Sequence, residues 1–354
     1  MNPTGIVRDE SYLKHDMGLY HPESPERLAV IYKMIDQLYH ELNLLDIPAR
    51  DASREEIAMI HHPAYVEKII STAGRPETYL DPDTSTCAHS WHAASRAVGG
   101  LLNLVDAVLE GRIRNGFAFV RPPGHHAEHR RAMGFCLFNN IALAAAYAIT
   151  HHKLERIAIV DWDLHHGNGT QNAFYEDHRV LFISTHQYPH YPGTGAAGEI
   201  GTGVGRGYTV NMPLPGGCGD AEYLTVFHTI VAPILEAFRP QLILLSAGFD
   251  AHKRDPLGSM MLTEDGYEQM LQILMHLAAE LCSDRLVLAL EGGYHFQALE
   301  ASVERVLRCL CTYDPEKDSV PLQPSADGSS AQFKRRLMDV VSLQRTFWPT
   351  VAPF

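Results

Sequence analysis

The chain has 354 residues, 45% of them apolar, which is enough for one large domain or at most two. Its formal net charge of −13 argues against a nucleic-acid backbone as the main ligand and is compatible with a cationic substrate. No segment approaches the length of a membrane span, the N-terminus MNPTGIVRDE lacks an apolar signal core, and the six cysteines show no CxxC or disulfide-framework spacing, so a reduced, cytoplasmic protein is expected.

In chain order, the first helical signal covers 24–42, with Ser24 as N-cap, Pro25 at the first helical position, and Leu28, Ile31, Ile35, Leu38 and Leu42 along one side. Residues 92–110, 139–150, 221–237 and 264–282 have the same character. Between them lie five short apolar runs, at 116–120, 156–160, 179–184, 241–246 and 285–290. Each is too short for a globular helix and rich in Val, Ile, Leu and Phe. Such runs suit strands buried on both faces of a parallel sheet. Alternation of the two kinds predicts an α/β fold with right-handed crossovers, whose ligands bind beyond the carboxyl ends of the strands. The five runs lead into RPPGHH, DWDLHH, THQYPHYPGTG, AGFD and EGGYH, so these segments should converge on one crevice.

The Gly-rich GTGVGRG at 201–207 precedes a strand-like run and reads as a turn, and no GxGxxG or GxxxxGK[ST] phosphate loop is present. Cys309 and Cys311 fall in a helical pattern and read as core packing. Residues 314–331 are polar and rich in Pro and Ser, predicting a surface loop, with a last helix over 332–345.

The chemistry concentrates at DWDLHHGNGT, residues 161–170. Buried carboxylates and imidazoles need a partner. If the strand persists to its end, Asp161, Asp163 and His165 share a face. Aspartate oxygen and histidine nitrogen suit Zn²⁺, and also Fe²⁺ or Co²⁺. A third ligand must come from elsewhere, and Asp250, at the end of an apolar run without charge, is the best candidate. Three protein ligands leave a coordination position open, as in catalytic zinc sites.

Of four His-His pairs, those at 61–62 and 151–152 read as surface features, whereas 125–126 and 165–166 follow apolar strands. His125 and His126 project from the stiff turn Pro122–Pro123–Gly124 and can exchange protons near neutral pH. Each needs an orienting partner, with Asp161 and Asn168 available. A carboxylate partner keeps an imidazole cationic, while an amide leaves the other freer to exchange its proton. In EGGY, two glycines let the backbone approach closely, and Tyr294 can offer its hydroxyl to developing oxyanion charge.

RPPGHH, GFCLFNN (134–140), DWDLHHGNGT, STHQ with YPGTG (191–195), SAGFDAHKRDPLG (246–258), EGGY and the N-terminal HPESPERL (21–28) together resemble the zinc-dependent histone deacetylase and acetylpolyamine amidohydrolase superfamily. HHGNG and EGGY look most like the class II deacetylases and their bacterial deacetylase-like relatives. The resemblance spans about residues 5–312 with the motifs in family order. It implies a three-layer arginase-like α/β fold with a central, mainly parallel sheet flanked by helices. A catalytic domain is expected over 1–315, with a polar loop and helical tail over 316–354 packed on it or extending from it.

By matching motifs, the resemblance makes Asp163, His165 and Asp250 the zinc ligands. It makes His126 the general base and then acid, His125 with Asp161 an electrostatic partner, and Tyr294 the carbonyl-polarising donor. Asn168 stands where many members carry a second aspartate and follows the class II pattern. Potassium is implied near Asp161, His165 and Ser184. Phe135, with its neighbour Gly134, and Tyr191 match the aromatic walls of an acyl-lysine tunnel. Leu257 stands where a polyamine-specific member has a glutamate, which favours acyl-lysine over an acylated polyamine. Arg27 matches an internal cavity that passes acetate, or else packs and caps the first helix.

The implied activity is deacetylation or deacylation of acyl-lysine in a peptide or protein by metal-activated water. An acetylpolyamine amidohydrolase is the alternative within this chemistry. A non-catalytic acyl-lysine binding module and an arginase-like manganese hydrolase are further alternatives; the first would be favoured by loss of a ligand or of Tyr294, and the second needs more carboxylates. The segment near 70–90 could cap the tunnel or form a homo-oligomer interface. Asp81 and Asp83 there lie in LDPDTS, which reads as a turn that could also touch the substrate backbone.

Overall fold

Runs of four to six branched apolar residues can be buried on both sides only in a sheet that is covered twice. That arrangement is found in a computed structural model, which describes residues 2–324 and 328–352. The strands are β1 (Thr4–Val7), β2 (Leu44–Asp46), β3 (Thr78–Asp81), β4 (Thr84–Thr86), β5 (Asn115–Ala118), β6 (Ile157–Asp161), β7 (Val180–Gln187), β8 (Thr209–Leu214), β9 (Leu242–Ala247) and β10 (Leu286–Leu290). The helices are α1 (Glu26–Leu38), α2 (Arg54–Ile57), α3 (Pro63–Ile70), α4 (Ser90–Leu109), α5 (Asn140–His152), α6 (Asn168–Phe174), α7 (Asp220–Val226), α8 (Ala232–Phe238), α9 (Glu264–Cys282), α10 (Phe296–Thr312) and α11 (Ala331–Gln344).

Eight strands form one sheet in the order β2-β1-β5-β10-β9-β6-β7-β8, and every pairing is parallel. The expected central sheet flanked by helices is therefore present. All residues of β1, β5, β6, β8, β9 and β10 are buried, and only the edge strand β2 is largely exposed. One helical group, α4 and α5, packs on β1, β5, β6 and β9; another, α9 and α10 with α1 against α10, packs on β5, β9 and β10. Among the described residues, no helix is long and apolar enough to cross a membrane.

The short strands β1 and β2 and the β3–β4 hairpin go beyond the five expected runs, and the strand-like run after the 201–207 turn is β8. The first helix is shorter than expected. It starts at Glu26, with Pro25 and not Ser24 at the N-cap position. The helix expected over 221–237 is α7 and α8 joined through a π turn at Phe227–Val231. Of the polar loop expected over 314–331, residues 325–327 lie outside the described residues. The C-terminal helix α11 buries Phe333, Leu337, Val340 and Val341 and lies against β8.

His61 corrects the expected surface role of the 61–62 pair. It is buried, with Nδ1 donating to the Glu128 carbonyl (3.0 Å) and Nε2 accepting the Asn139 N–H (2.9 Å). It thus ties the start of α3 to the start of α5.

A buried ion cluster fixes α1 to the strand ends. Glu23, wholly buried, accepts from Arg27 Nη1 (2.9 Å) and from Arg121 Nη2 (2.8 Å). Burial alone would raise the Glu23 carboxyl, but Arg121 and Arg27 outweigh it and hold it at about 2. A depressed carboxyl contributes stability that is complete above its ordinary value of 4.5 and fades as the pH falls towards about 2. Glu23→Gln leaves two buried guanidinium groups short of charge and is expected to cost about 3–5 kcal/mol at pH 7 in urea unfolding. The gap between variant and wild type should narrow between pH 4.5 and about 2. A constant gap across that range would contradict the paired carboxylate.

Candidate metal centre and tunnel

β5, β10, β9, β6 and β7 are consecutive in the parallel sheet, so the loops after them share one edge. Strand β6 ends at Asp161, and the expected extension of the strand to His165 does not occur. Asp161, Asp163 and His165 are brought together by tight turns instead. The Asp163 N–H donates to Asp161 Oδ1 (3.1 Å), and the His165 N–H donates to Asp163 Oδ1 (2.8 Å). Aspartate favours such turns because its short side chain reaches the amide two residues on. Asp250, from the loop after β9, accepts the Leu164 N–H at Oδ1 (2.9 Å). Asp163 Oδ2 accepts the Gly292 N–H (2.9 Å) from the loop after β10.

These contacts gather one ligand atom each from Asp163, His165 and Asp250 within 4.8 Å of one another, all three residues buried. His165 Nδ1 lies 3.1 Å from Asp163 Oδ1 and 3.0 Å from Asp250 Oδ2. Burial opposes charge on the ring, yet the two carboxylates win and push it up to about 10. Burial likewise raises Asp250. The cluster therefore calls for positive charge where its three donor atoms meet.

The space around these atoms is kept open. A Cβ at Gly248 would fall 2.0 Å from Asp163 Oδ2, and one at Gly292 2.3 Å from Asp250 Oδ2. Two carboxylate oxygens and an imidazole nitrogen, buried and close together, fit a divalent metal of the zinc or ferrous type.

The two imidazoles of the RPPGHH loop stand beside this cluster, with ring centroids 4.0 Å apart. Glu291 holds the loop: its Oε2 accepts the N–H groups of Gly124 (2.7 Å) and His125 (3.1 Å). His125 Nδ1 lies 2.9 Å from Asp161 Oδ2, and His126 Nδ1 lies 2.8 Å from Asn168 Oδ1. The partners thus differ in charge. Burial opposes protonation of His125, but Asp161, Asp163 and Glu291 overcome it and raise the ring well above 6.5. His126 is driven well below 6.5 by burial and by the neighbouring His125 and His165. The two adjacent rings thus have opposite charge preferences, His125 towards the cation and His126 towards the neutral ring.

A cavity of about 200 Å³ opens above these groups. His125, His126, His165 and Tyr294 border it, and its other walls include Phe135, Gly134, Tyr191 and Leu257. The Tyr191 ring meets His126 edge-on at 5.2 Å, and Phe135 meets Tyr294 at 5.9 Å. Gly134 and Phe135 both have positive φ, 55° and 68°. The β3–β4 turn supports them: Asp83 Oδ1 accepts the Gly134 N–H (3.1 Å), and Thr84 Oγ1 accepts that of Phe135 (2.9 Å). Asp83 therefore serves as more than a turn residue, since it also borders the cavity. Asp81 pairs with Arg131 at 3.0 Å.

Tyr294 is held from behind. Asp255 Oδ2 accepts its N–H (2.7 Å), and the Arg27 guanidinium lies 4.9 Å from its ring centre. Arg27 also donates from Nε to the Gly293 carbonyl (2.6 Å) and from Nη2 to that of Glu291 (2.5 Å). Burial raises the Tyr294 phenol well above 10, so it remains a donor. Ser184 pairs with Asp161 in register across β6 and β7, and its hydroxyl lies 3.0 Å from His186 Nδ1.

Sequence reasoning passed over Glu291, Asp255, Glu128 and His190. The carboxylates of Glu291 and Asp255 work on backbone amides far away in the chain, which leaves no local spacing to read. His190 sat in view beside Tyr191, and its ring lies 5.2 Å from that of His165.

A histone deacetylase domain family matches residues 21–310. Histone deacetylase 15 of Arabidopsis thaliana is 40% identical over 99% of this chain, which spans 63% of that protein's length. A probable deacetylase of Archaeoglobus fulgidus is 39% identical, with 98% of each chain covered. The crystal structure of an HDA15 HD domain superposes with a TM-score of 0.90 at 38% identity, covering 99% of this chain and 96% of that one.

Gly248→Ala places a methyl group against the Asp163 carboxylate. It is expected to weaken divalent-metal binding by about 10–100-fold in equilibrium dialysis, with an unchanged circular-dichroism spectrum. Wild-type affinity would show that Asp163 is not a ligand.

Proposed function

The chain belongs to the histone deacetylase domain family, and on that premise we propose that it is a metal-dependent deacetylase that hydrolyses N-acyl amides on lysine side chains. The reading rests above all on two adjacent imidazoles of opposite charge preference beside the buried Asp163–His165–Asp250 set. A non-catalytic binding module has no need of such a pair.

Asp163, His165 and Asp250 would hold zinc, or ferrous iron, which when bound polarises the amide carbonyl and lowers the pKa of water towards about 7. His126 accepts the water proton at Nε2 while its Nδ1–H remains on Asn168. As the new C–O bond forms, Tyr294 donates its hydroxyl hydrogen to the developing oxyanion, a contact worth about 3 kcal/mol in comparable sites. The C–N bond then breaks as His126 returns the proton to the leaving amine, giving a free lysine and a carboxylic acid, whose remaining proton passes to the amine or to solvent. His125 remains charged through Asp161 and lends its field to the reaction. Phe135 and Tyr191 flank the aliphatic stem and exclude water.

Arg27 acts by holding Gly293 and the Tyr294 ring in place. Leu257 offers nothing to a second ammonium group, which supports acyl-lysine over acylated polyamines. Potassium would lie near Asp161 and Ser184, adjacent strand-end residues that can offer oxygens, as the family resemblance implies. A reducing compartment such as the cytoplasm suits the six free thiols.

On an acetyl-lysine peptide, His126→Ala is expected to lower kcat/KM by about 10²–10⁴-fold. Tyr294→Phe should lower kcat by about 10²–10³-fold. Rates near wild type in either variant would contradict these roles. Turnover of the peptide should exceed that of acetylspermidine, and the reverse order would move the substrate to the polyamines.

A further inference from the structure

An asparagine beside an imidazole is an ambiguous partner, because its amide can turn either an oxygen or an NH₂ group to the ring. The choice decides the tautomer. If oxygen faces His126, Nδ1 carries the hydrogen and Nε2 keeps a lone pair. If NH₂ faces it, Nδ1 must accept, Nε2 carries the hydrogen, and the ring cannot take a proton on its other side. Nothing in the His126–Asn168 pair alone selects between the two.

A third residue does. Asn168 Nδ2 donates to Glu128 Oε1 at 2.9 Å, while Asn168 Oδ1 faces His126 Nδ1 at 2.8 Å. An ionised carboxylate has no hydrogen to give, so it can receive only the NH₂ side of the amide. Glu128 is itself well placed. It follows His126 by two residues, and its backbone is pinned by the Arg131 carbonyl (2.9 Å) and by His61 Nδ1 (3.0 Å). Asn172 Nδ2 donates to the same Oε1 at 3.0 Å.

We propose that Glu128 is a positioning residue for the reaction, locking the Asn168 amide so that His126 is held as the Nδ1–H tautomer with Nε2 free to accept a proton. The lock also gives a physical reason for asparagine at position 168. A carboxylate there would face Glu128 with no hydrogen between the two oxygens.

The inference rests on His126 as the proton acceptor, so its test needs one readout that does not depend on turnover. Long-range ¹⁵N–¹H NMR of the zinc-loaded full chain reports the His126 tautomer, and kinetics on an acetyl-lysine peptide report kcat and KM. Glu128→Ala should give a tautomer mixture and lower kcat by about 10–100-fold with KM little changed. Glu128→Gln, whose amide can turn either its oxygen or its NH₂ group to Asn168, removes the selection and should also give a tautomer mixture with a lowered kcat. Glu128→Asp, too short to reach, should behave as Glu128→Ala does, and replaces it should alanine unfold the loop. In the double variant Glu128→Ala/Asn168→Asp, position 168 has no NH₂ face, and the single tautomer should return.

A pure Nδ1–H tautomer in both Glu128→Ala and Glu128→Asp would overturn the lock, as would a wild-type kcat in both. If the wild-type chain fails to turn over any acyl-lysine peptide, the deacetylase reading falls, while the tautomer measurement still decides the lock.

Discussion

Four carboxylates, Asp161, Asp163, Asp250 and Glu291, are buried at one edge of the sheet among only two imidazoles that favour charge, His125 and His165. Unneutralised charge in a dry interior is among the costliest arrangements a fold can hold. Its strain is visible in the acids: burial raises Asp161 to about 6 and Glu291 to about 7. A divalent cation among Asp163, Asp250 and a neutral His165 takes the place of that ring's proton and offsets more of the excess at its centre. The opposite charge preferences of the two RPPGHH imidazoles follow from the same distribution of charge. His125 sits where carboxylates surround it, and His126 sits one ring away, where cations do.

The sheet makes this density of charge buildable. Because β5, β10, β9, β6 and β7 are adjacent and parallel, five loops meet without any strand having to bend. Backbone amides then take up carboxylate lone pairs: Gly124 and His125 on Glu291, Leu164 on Asp250, Gly292 on Asp163. Each acid thus orders a loop and contributes to the site at once. Further out, Glu23 with Arg27 and Arg121 joins the first helix to the RPPGHH and EGGY segments. This edge of the sheet is therefore braced by ion pairs that lie outside the cavity lining.

Much of this was legible in the sequence, for reasons that differ by element. Strands β5, β6, β7, β9 and β10 announced themselves because strands covered on both faces must be apolar throughout. β1, with four residues, and β2, with three, are too short for any pattern to stand out. The assumption that Asp161, Asp163 and His165 alternate on one strand was wrong about the backbone, since aspartate turns take over at the end of β6. The three side chains still meet their partners, because a turn every two residues returns the chain towards the same side. His61 was misread because a histidine pair at a helix start looks polar, whereas its two nitrogens find a carbonyl and an amide from distant loops. Glu291 lies 167 residues from Gly124, and no local signal marks such a contact.

The account stands or falls on where a metal binds. Crystals of the zinc-loaded protein, measured on both sides of the zinc absorption edge, locate the ion without reference to activity. The predicted result is one strong anomalous peak about 2.0–2.2 Å from oxygens of Asp163 and Asp250 and from Nδ1 of His165. A peak held by other side chains, or none at this edge of the sheet, would contradict it.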